Sequence, residues 1–129
     1  MVDTNAVIKA YLATDTALAA LVGTRIYCPN LPENADLPAI GFFTRGGTST
    51  PYIPGMPAPS VQFDCWADDP IDAREVYRAL YDCLQGIQNV AVGSNYILSA
   101  IEEVQGQDLV DEEIPNYFRV LTFFEIMVR

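Results

Sequence analysis

Apolar positions recur at helical spacing near the start of the chain, where Val7, Ile8, Tyr11 and Leu12 form one stripe behind Asp3 or Thr4 as a first cap. Thr14, Asp15 and Thr16 interrupt that helix and supply cap residues for a second one. The second helix buries Leu18, Leu21 and Val22 and reaches Gly23, where a left-handed helix end favours glycine. Beyond it the period falls to two. Residues 25–27 read as a short extended piece, a loop with Pro29, Pro32 and Pro38 follows, and residues 39–45 form a strand. Ile40, Phe42 and Thr44 take one face of that strand and Ala39, Gly41, Phe43 and Arg45 the other, so both sides are expected to be at least partly covered.

Residues 46–59 are rich in Gly, Ser, Thr and Pro, and Pro51, Pro54, Pro57 and Pro59 each remove a backbone donor. A long mobile excursion between two antiparallel strands is expected there, of the kind that is functional or flexible in a compact domain. The next strand, residues 60–67, sets Val61, Phe63 and Cys65 against Gln62, Asp64 and Trp66. Asp68, Asp69 and Pro70 then start a helix: a carboxylate accepts from free first-turn amides, and proline suits the first helical position. Ala73, Val76, Leu80, Cys83, Leu84 and Ile87 make its buried stripe, with Asp72, Glu75, Arg78, Asp82 and Gln85 facing water and Gly86 as its end.

The rest is β in character. A short piece at residues 90–92, a turn at Gly93-Ser94-Asn95, a strand from Tyr96 to about Val104, and a last strand from Tyr117 to Val128 are expected. Between the last two, residues 105–116 with Asp108, Asp111, Glu112 and Glu113 read as an acidic hairpin loop. The closing strand alternates Phe118, Val120, Phe124, Ile126 and Val128 against Tyr117, Arg119, Leu121, Phe123, Glu125 and Met127, so its second face is mixed rather than plainly solvated. These elements make an α+β fold: a mostly antiparallel sheet with two short N-terminal helices and one longer amphipathic helix packed on one face. A single domain spanning residues 1–129, with long flexible loops at 46–59 and 105–116, is the expected organisation.

Composition narrows what such a domain does. Half of the residues are hydrophobic and 19% are charged, the balance of a folded chain. A formal charge of -10 with only seven Lys and Arg disfavours tight nucleic-acid binding, which depends on those side chains. Such a surface repels phosphates and suits a partner with a basic rim. No apolar run reaches the roughly 18 to 20 residues that cross a bilayer, and no basic segment followed by an apolar one opens the chain, so neither membrane insertion nor secretion by a visible signal is expected. The cysteines, Cys28, Cys65 and Cys83, are odd in number and lack any C-x-x-C pair. Cys65 in a strand and Cys83 on a helix read as small buried hydrophobes in a reducing cytosol.

With no histidine in the chain, Ser-His and Cys-His catalysis and imidazole metal sites are excluded. No phosphate-binding glycine string occurs, and Gly46-Gly47 signals no more than a turn. Of the paired carboxylates, Asp68-Asp69 read as helix capping and Glu102-Glu103 as strand-end solubility. Asp111-Glu112-Glu113 read as a solvated loop, with a weak divalent-cation or basic-partner site as the sharper alternative. Trp66, Tyr52 and Tyr96 mark either contact surfaces or packing beneath a helix or loop. No enzyme activity and no cofactor are expected, and the mixed outer faces and long loops favour an oligomer whose neighbours cover them.

Several strings together resemble a known family. They are the alanine-rich helix ending in Leu21-Val22-Gly23, Thr24-Arg25-Ile26-Tyr27, Leu37-Pro38-Ala39-Ile40, Val61-Gln62-Phe63-Asp64-Cys65-Trp66 before a capped helix, and Tyr117-Phe118-Arg119-Val120-Leu121. In order and spacing the chain is similar to the tail-completion, or tail-terminator, proteins of long-tailed bacteriophages and prophages, and it departs from them in the number of prolines in residues 46–59. The resemblance implies a structural virion protein, assembled in the host cytoplasm, that forms a ring, usually of six subunits, at the head-proximal end of the tail tube. There it would end tube polymerisation and join the tail to the head connector or stopper protein, while DNA passes through without sticking. Under it Tyr52, Ile53, Met56, Trp66, Asp108, Asp111, Glu112, Glu113 and Arg119 become candidate contacts with a neighbouring copy, the tail tube protein or the connector. Another neck component, a head-tail connector or stopper ring, and a small-ligand-binding α+β domain are the alternatives.

Overall fold

The computed structural model describes residues 3–29, 31–32, 35–48, 57–110 and 117–129. Tyr52, Ile53, Met56, Asp111, Glu112 and Glu113, six of the candidate contacts, lie outside that set. The described elements, in order, are α1 (Thr4–Ala13), α2 (Thr16–Val22), β1 (Ile26–Tyr27), β2 (Ala39–Thr48), β3 (Ala58–Ala67), α3 (Pro70–Leu84), β4 (Gln88–Val92), β5 (Asn95–Val110) and β6 (Phe118–Val128).

Each helix opens on an aspartate. Asp3 accepts from the amides of Asn5 and Ala6, Asp15 from those of Ala17 and Leu18 at 2.9 and 3.1 Å, and Asp69 from Ile71 at 2.8 Å. Each carboxylate therefore satisfies first-turn N–H groups that the helix itself leaves free. Pro70 occupies the first turn of α3, and Gly23 closes α2 with a φ of 59°.

The strands form one sheet in the order β1-β2-β3-β6-β5-β4, antiparallel throughout except for the parallel β1–β2 pair. The helices lie on one face, and the core fills the space between. Phe42, Phe63 and Phe124 form an aromatic row across β2, β3 and β6, with centroids 5.8 and 5.7 Å apart. Ala73, Val76, Leu80, Cys83 and Leu84 of α3 are buried against this face, as expected, and Tyr77 joins them. The fold is the expected α+β architecture.

Two strand limits and the environment of Glu102 differ from the sequence expectation. The β2–β3 ladder does not stop at Arg45: its register shifts between Thr44 and Gly47 and resumes as Gly47↔Pro59 and Thr48↔Ala58. The Gly46-Gly47 pair is therefore a bulge inside a strand pair and not a loop turn. A Cβ at Gly47 would meet the Ala58 carbonyl oxygen at 2.8 Å, so glycine lets the two backbones close there. Likewise β5 does not end near Val104 but runs to Val110, paired with β6 through Gln107↔Leu121 and Asp108↔Val120. Its register shifts near Ile97, Glu102 and Val104 break the alternation by which a strand is read in sequence, so residues 105–110 look like loop.

The third difference concerns Glu102 and its neighbours. Glu102 is no solubilising strand end; it faces inward beneath α3. The Tyr77 hydroxyl donates to its Oε2 at 2.7 Å, the Thr122 hydroxyl lies 2.8 Å from the same oxygen, and the Glu102 N–H donates to Gln85 Oε1 at 2.7 Å. Gln85 is thereby drawn to the sheet instead of facing water. Gly106 N–H donates to the Tyr77 hydroxyl at 3.1 Å, so the irregular stretch of β5 exchanges ladder bonds for this buried node. Burial first, then the Glu102 hydrogen bond, push the Tyr77 hydroxyl up to about 12.

Candidate interaction surface

The strings that carried the family resemblance meet one another in the fold. Ile26 pairs with Ile40, the Arg25 carbonyl accepts from the Ile40 N–H at 3.0 Å, and the Arg25 guanidinium donates to the Pro38 carbonyl at 2.8 Å. The 61–66 and 117–121 strings lie side by side on β3 and β6, with Cys65↔Val120 and Trp66↔Arg119 in register. These residues build the sheet, and the sheet positions the surface.

On the sheet face away from the helices, a polar line crosses three strands. Arg45 of β2 donates to Gln62 Oε1 at 3.3 Å, Gln62 donates to Asp64 Oδ2 at 3.3 Å, and Arg119 of β6 lies 3.5 Å from Asp64 Oδ1. Both guanidiniums sit over aromatic rings: Arg45 is 5.4 Å from the Phe123 centroid and Arg119 is 5.3 Å from that of Trp66. Tyr117 meets the Trp66 ring edge-on at 6.2 Å. Each guanidinium is thus held between an aromatic ring and a polar partner on β3.

Asp64 is the unusual member of the line, for it is only 5% exposed and its Oδ1 makes no hydrogen bond. Burial raises its carboxyl above the ordinary range, against the opposing pull of Arg119 and Gln62. Around the line, Phe43, Leu121, Phe123 and Met127 are half-buried, while Ile101 of β5 is 57% exposed. None of the described elements covers this face.

The opposite side of the molecule carries a groove of about 790 Å³ between α2 and α3. Ala17, Ala20, Leu21 and Ile71 give it an apolar floor and rim; Asp15, Glu75, Asp82 and Asp108 supply four carboxylates against the guanidiniums of Arg74 and Arg78. Arg74 is paired with Asp108 at 3.1 Å and lies over the Tyr77 ring at 5.4 Å. Cys83 also lines the groove; burial, and after it Asp15, push its thiol up to about 12, which keeps the thiolate scarce at neutral pH. Cys65 is buried as expected, and Cys28 is exposed.

The structure thus brings Trp66 and Arg119 together on the sheet face and places Asp108 apart from them, at the groove on the helix side. Arg45, Gln62, Asp64 and Phe123 belong to the same face as Trp66 and Arg119. Alternation signals Gln62 and Asp64 as companions of Trp66, but only the β3–β6 register shows that Arg119 stacks on it. Tyr96 is exposed on β5. No group of three or more His, Cys, Asp or Glu side chains among the described residues is arranged to hold a metal ion, and no described helix is long and apolar enough to cross a membrane.

No model of a known protein family matches the sequence. A comparison with curated proteins finds no match either. Among solved structures, the chain is similar to one from the virion of a native gene transfer agent (GTA) particle, with a TM-score of 0.67 at 17% identity, over 97% of this chain and 93% of that one. The two share a fold.

Proposed function

We propose that this protein is a structural virion component, and specifically the terminator of a phage tail: a ring of identical subunits that caps the head-proximal end of the tail tube, stops its polymerisation and joins it to the head connector. The observation that carries this reading is the fold match to a virion chain over nearly the full length of both. The family resemblance of the sequence adds the position within the particle.

The geometry supports it further. Ser60 pairs with Glu125 and Ala67 with Phe118, so the β2–β3 and β5–β6 connections lie at opposite ends of the β3–β6 pair. A subunit held between a tube on one side and a connector on the other has use for a contact segment at each end. The protein acts by shape and transforms no substrate. The groove between α2 and α3 is open and rimmed by charge, unlike the enclosed apolar pocket of a small-ligand site.

Deleting the coding sequence from its phage or prophage and imaging the lysate tests the proposal. Overlong or headless tails are expected. Normal tails beside filled or leaking heads would instead make the protein a connector or stopper ring, and an undiminished yield of infectious particles would rule out any neck role.

A further inference from the structure

The α3 wall of the groove between α2 and α3 is one continuous helix face. Ile71, Arg74, Glu75, Arg78, Ala79 and Asp82 line it at i, i+3, i+4, i+7, i+8 and i+11, three turns that span roughly 16 Å. On the α2 wall Ala17 and Ala20, one turn apart, are both exposed. Side chains this small let another helix come within the usual packing distance of about 8–10 Å between axes.

The charges of the groove do not balance. Arg74 and Asp108 satisfy each other at 3.1 Å, which leaves the carboxylates of Asp15, Glu75 and Asp82 against the single guanidinium of Arg78, an excess of two negative charges. Glu75 and Asp82 stand three residues before and four after Arg78, spacings at which helix charges can pair, yet neither of these described carboxylates forms an ion pair with it. Part of the rim is already fixed: Asp15 is held by its two capping bonds, and Arg74 by Asp108 and the Tyr77 ring. Between the charges the lining is apolar. Leu21 and Ala79 are half-buried, and Ile71, at 78%, is the most exposed large hydrophobic side chain among the described residues.

We infer that the α2–α3 groove receives a basic amphipathic helix of another protein, about three turns long, with its apolar stripe over Ala17, Ala20 and Ala79 and its Lys or Arg side chains on Glu75 and Asp82. An apolar strip edged by excess carboxylate is the complement of such a helix. A second copy of this chain does not supply it. The only cation of α1 is Lys9 and its apolar stripe is already in the core, α2 has no cation, and α3 sets Arg74 and Arg78 among Asp72, Glu75 and Asp82. Nucleic acid is repelled by the same excess charge. The chemistry of the groove is the same whether or not the chain ends a tail.

The probe is a fluorescein-labelled three-turn peptide of Leu, Ala and Lys with all its leucines on one helix face. Its controls are the same residues scrambled so that no apolar face forms, and the patterned peptide with Glu for Lys. Titrated with the full chain at physiological salt, the patterned basic peptide is expected to bind at least about tenfold more tightly than either control, the order of a close charge pair. Amide NMR shifts should map it to residues 15–21 and 71–83. Glu75→Lys with Asp82→Lys should weaken it about tenfold. Glu103→Lys with Glu125→Lys, an equal change of net charge at exposed strand positions, should leave it in place, since salt confines charge effects to nearby groups. Unchanged urea midpoints verify that both variants are folded.

Equal binding of the scrambled peptide, shifts centred on Trp66 and Arg119 in place of the groove, or the same response in both charge variants would overturn the inference. In assembled particles, Ile71→p-benzoylphenylalanine should cross-link on irradiation to a Lys- or Arg-bearing segment of a different virion protein, identified by mass spectrometry. A cross-link to a second copy of this chain would overturn it as well. Particles that lack the protein would remove the virion reading and leave the peptide result standing.

Discussion

At the scale of single residues, Asp64 is the point of tension. A carboxylate this far from water is costly unless its partners are complete, and Arg119 at 3.5 Å is an incomplete one. Because burial raises its pKa above the ordinary 3.8, the folded protein holds this proton more tightly than the unfolded chain does. Stability therefore falls as pH rises from 3.8 through the folded value, and the penalty is complete above it. Asp64→Asn removes the charge and keeps the shape, so the variant's urea midpoint should exceed that of the parent at neutral pH, with the gap closing as pH is lowered toward 3.8. A gap that does not change with pH would show that the carboxylate carries no such penalty. The position of Asp64 opposite Trp66's neighbours is readable from alternation along 60–67, but its burial is not, because what buries it comes from adjoining strands.

At the scale of elements, the helices are the more legible part. Asp3, Asp15 and Asp69 cap where local chemistry says they should, since capping depends on residues two or three positions apart in sequence. The strands β2 and β5 are longer than they read, since a bulge changes which face each residue takes and sheet pairing overrides the local preference of polar or glycine-rich runs. The node at Tyr77, Glu102 and Gly106 is the element-scale device that makes β5's irregularity tolerable. A Cβ at Gly106 would lie 2.7 Å from Tyr77 Cζ and 2.8 Å from Val120 Cγ1. Gly106→Ala should thus cost about 1–3 kcal/mol by overpacking, measured by chemical denaturation. A loss under about 0.5 kcal/mol, the level of an ordinary surface change, would mean that α3 shifts freely over β5.

At the scale of the whole molecule, the arrangement is a two-layer domain in which the described helices cover one sheet face and none of the described elements covers the other. The net charge of -10 should keep duplex DNA from binding: with protein in excess at physiological salt, labelled DNA should show no rise in anisotropy. Binding that weakens steeply with added salt would contradict this.

What the sequence alone determined is whatever depends on neighbours along the chain: the helix starts, the amphipathic stripe of α3, the two-sided strand at 60–67 and the lack of imidazole chemistry. The tertiary structure decided which strands lie side by side, and with that the stacking of Arg119 on Trp66, the burial of Asp64, the inward turn of Glu102 and the separation of Asp108 from the sheet face. Strand pairing joins residues dozens of positions apart through backbone hydrogen bonds that are the same for every side chain, so local pattern carries little record of it.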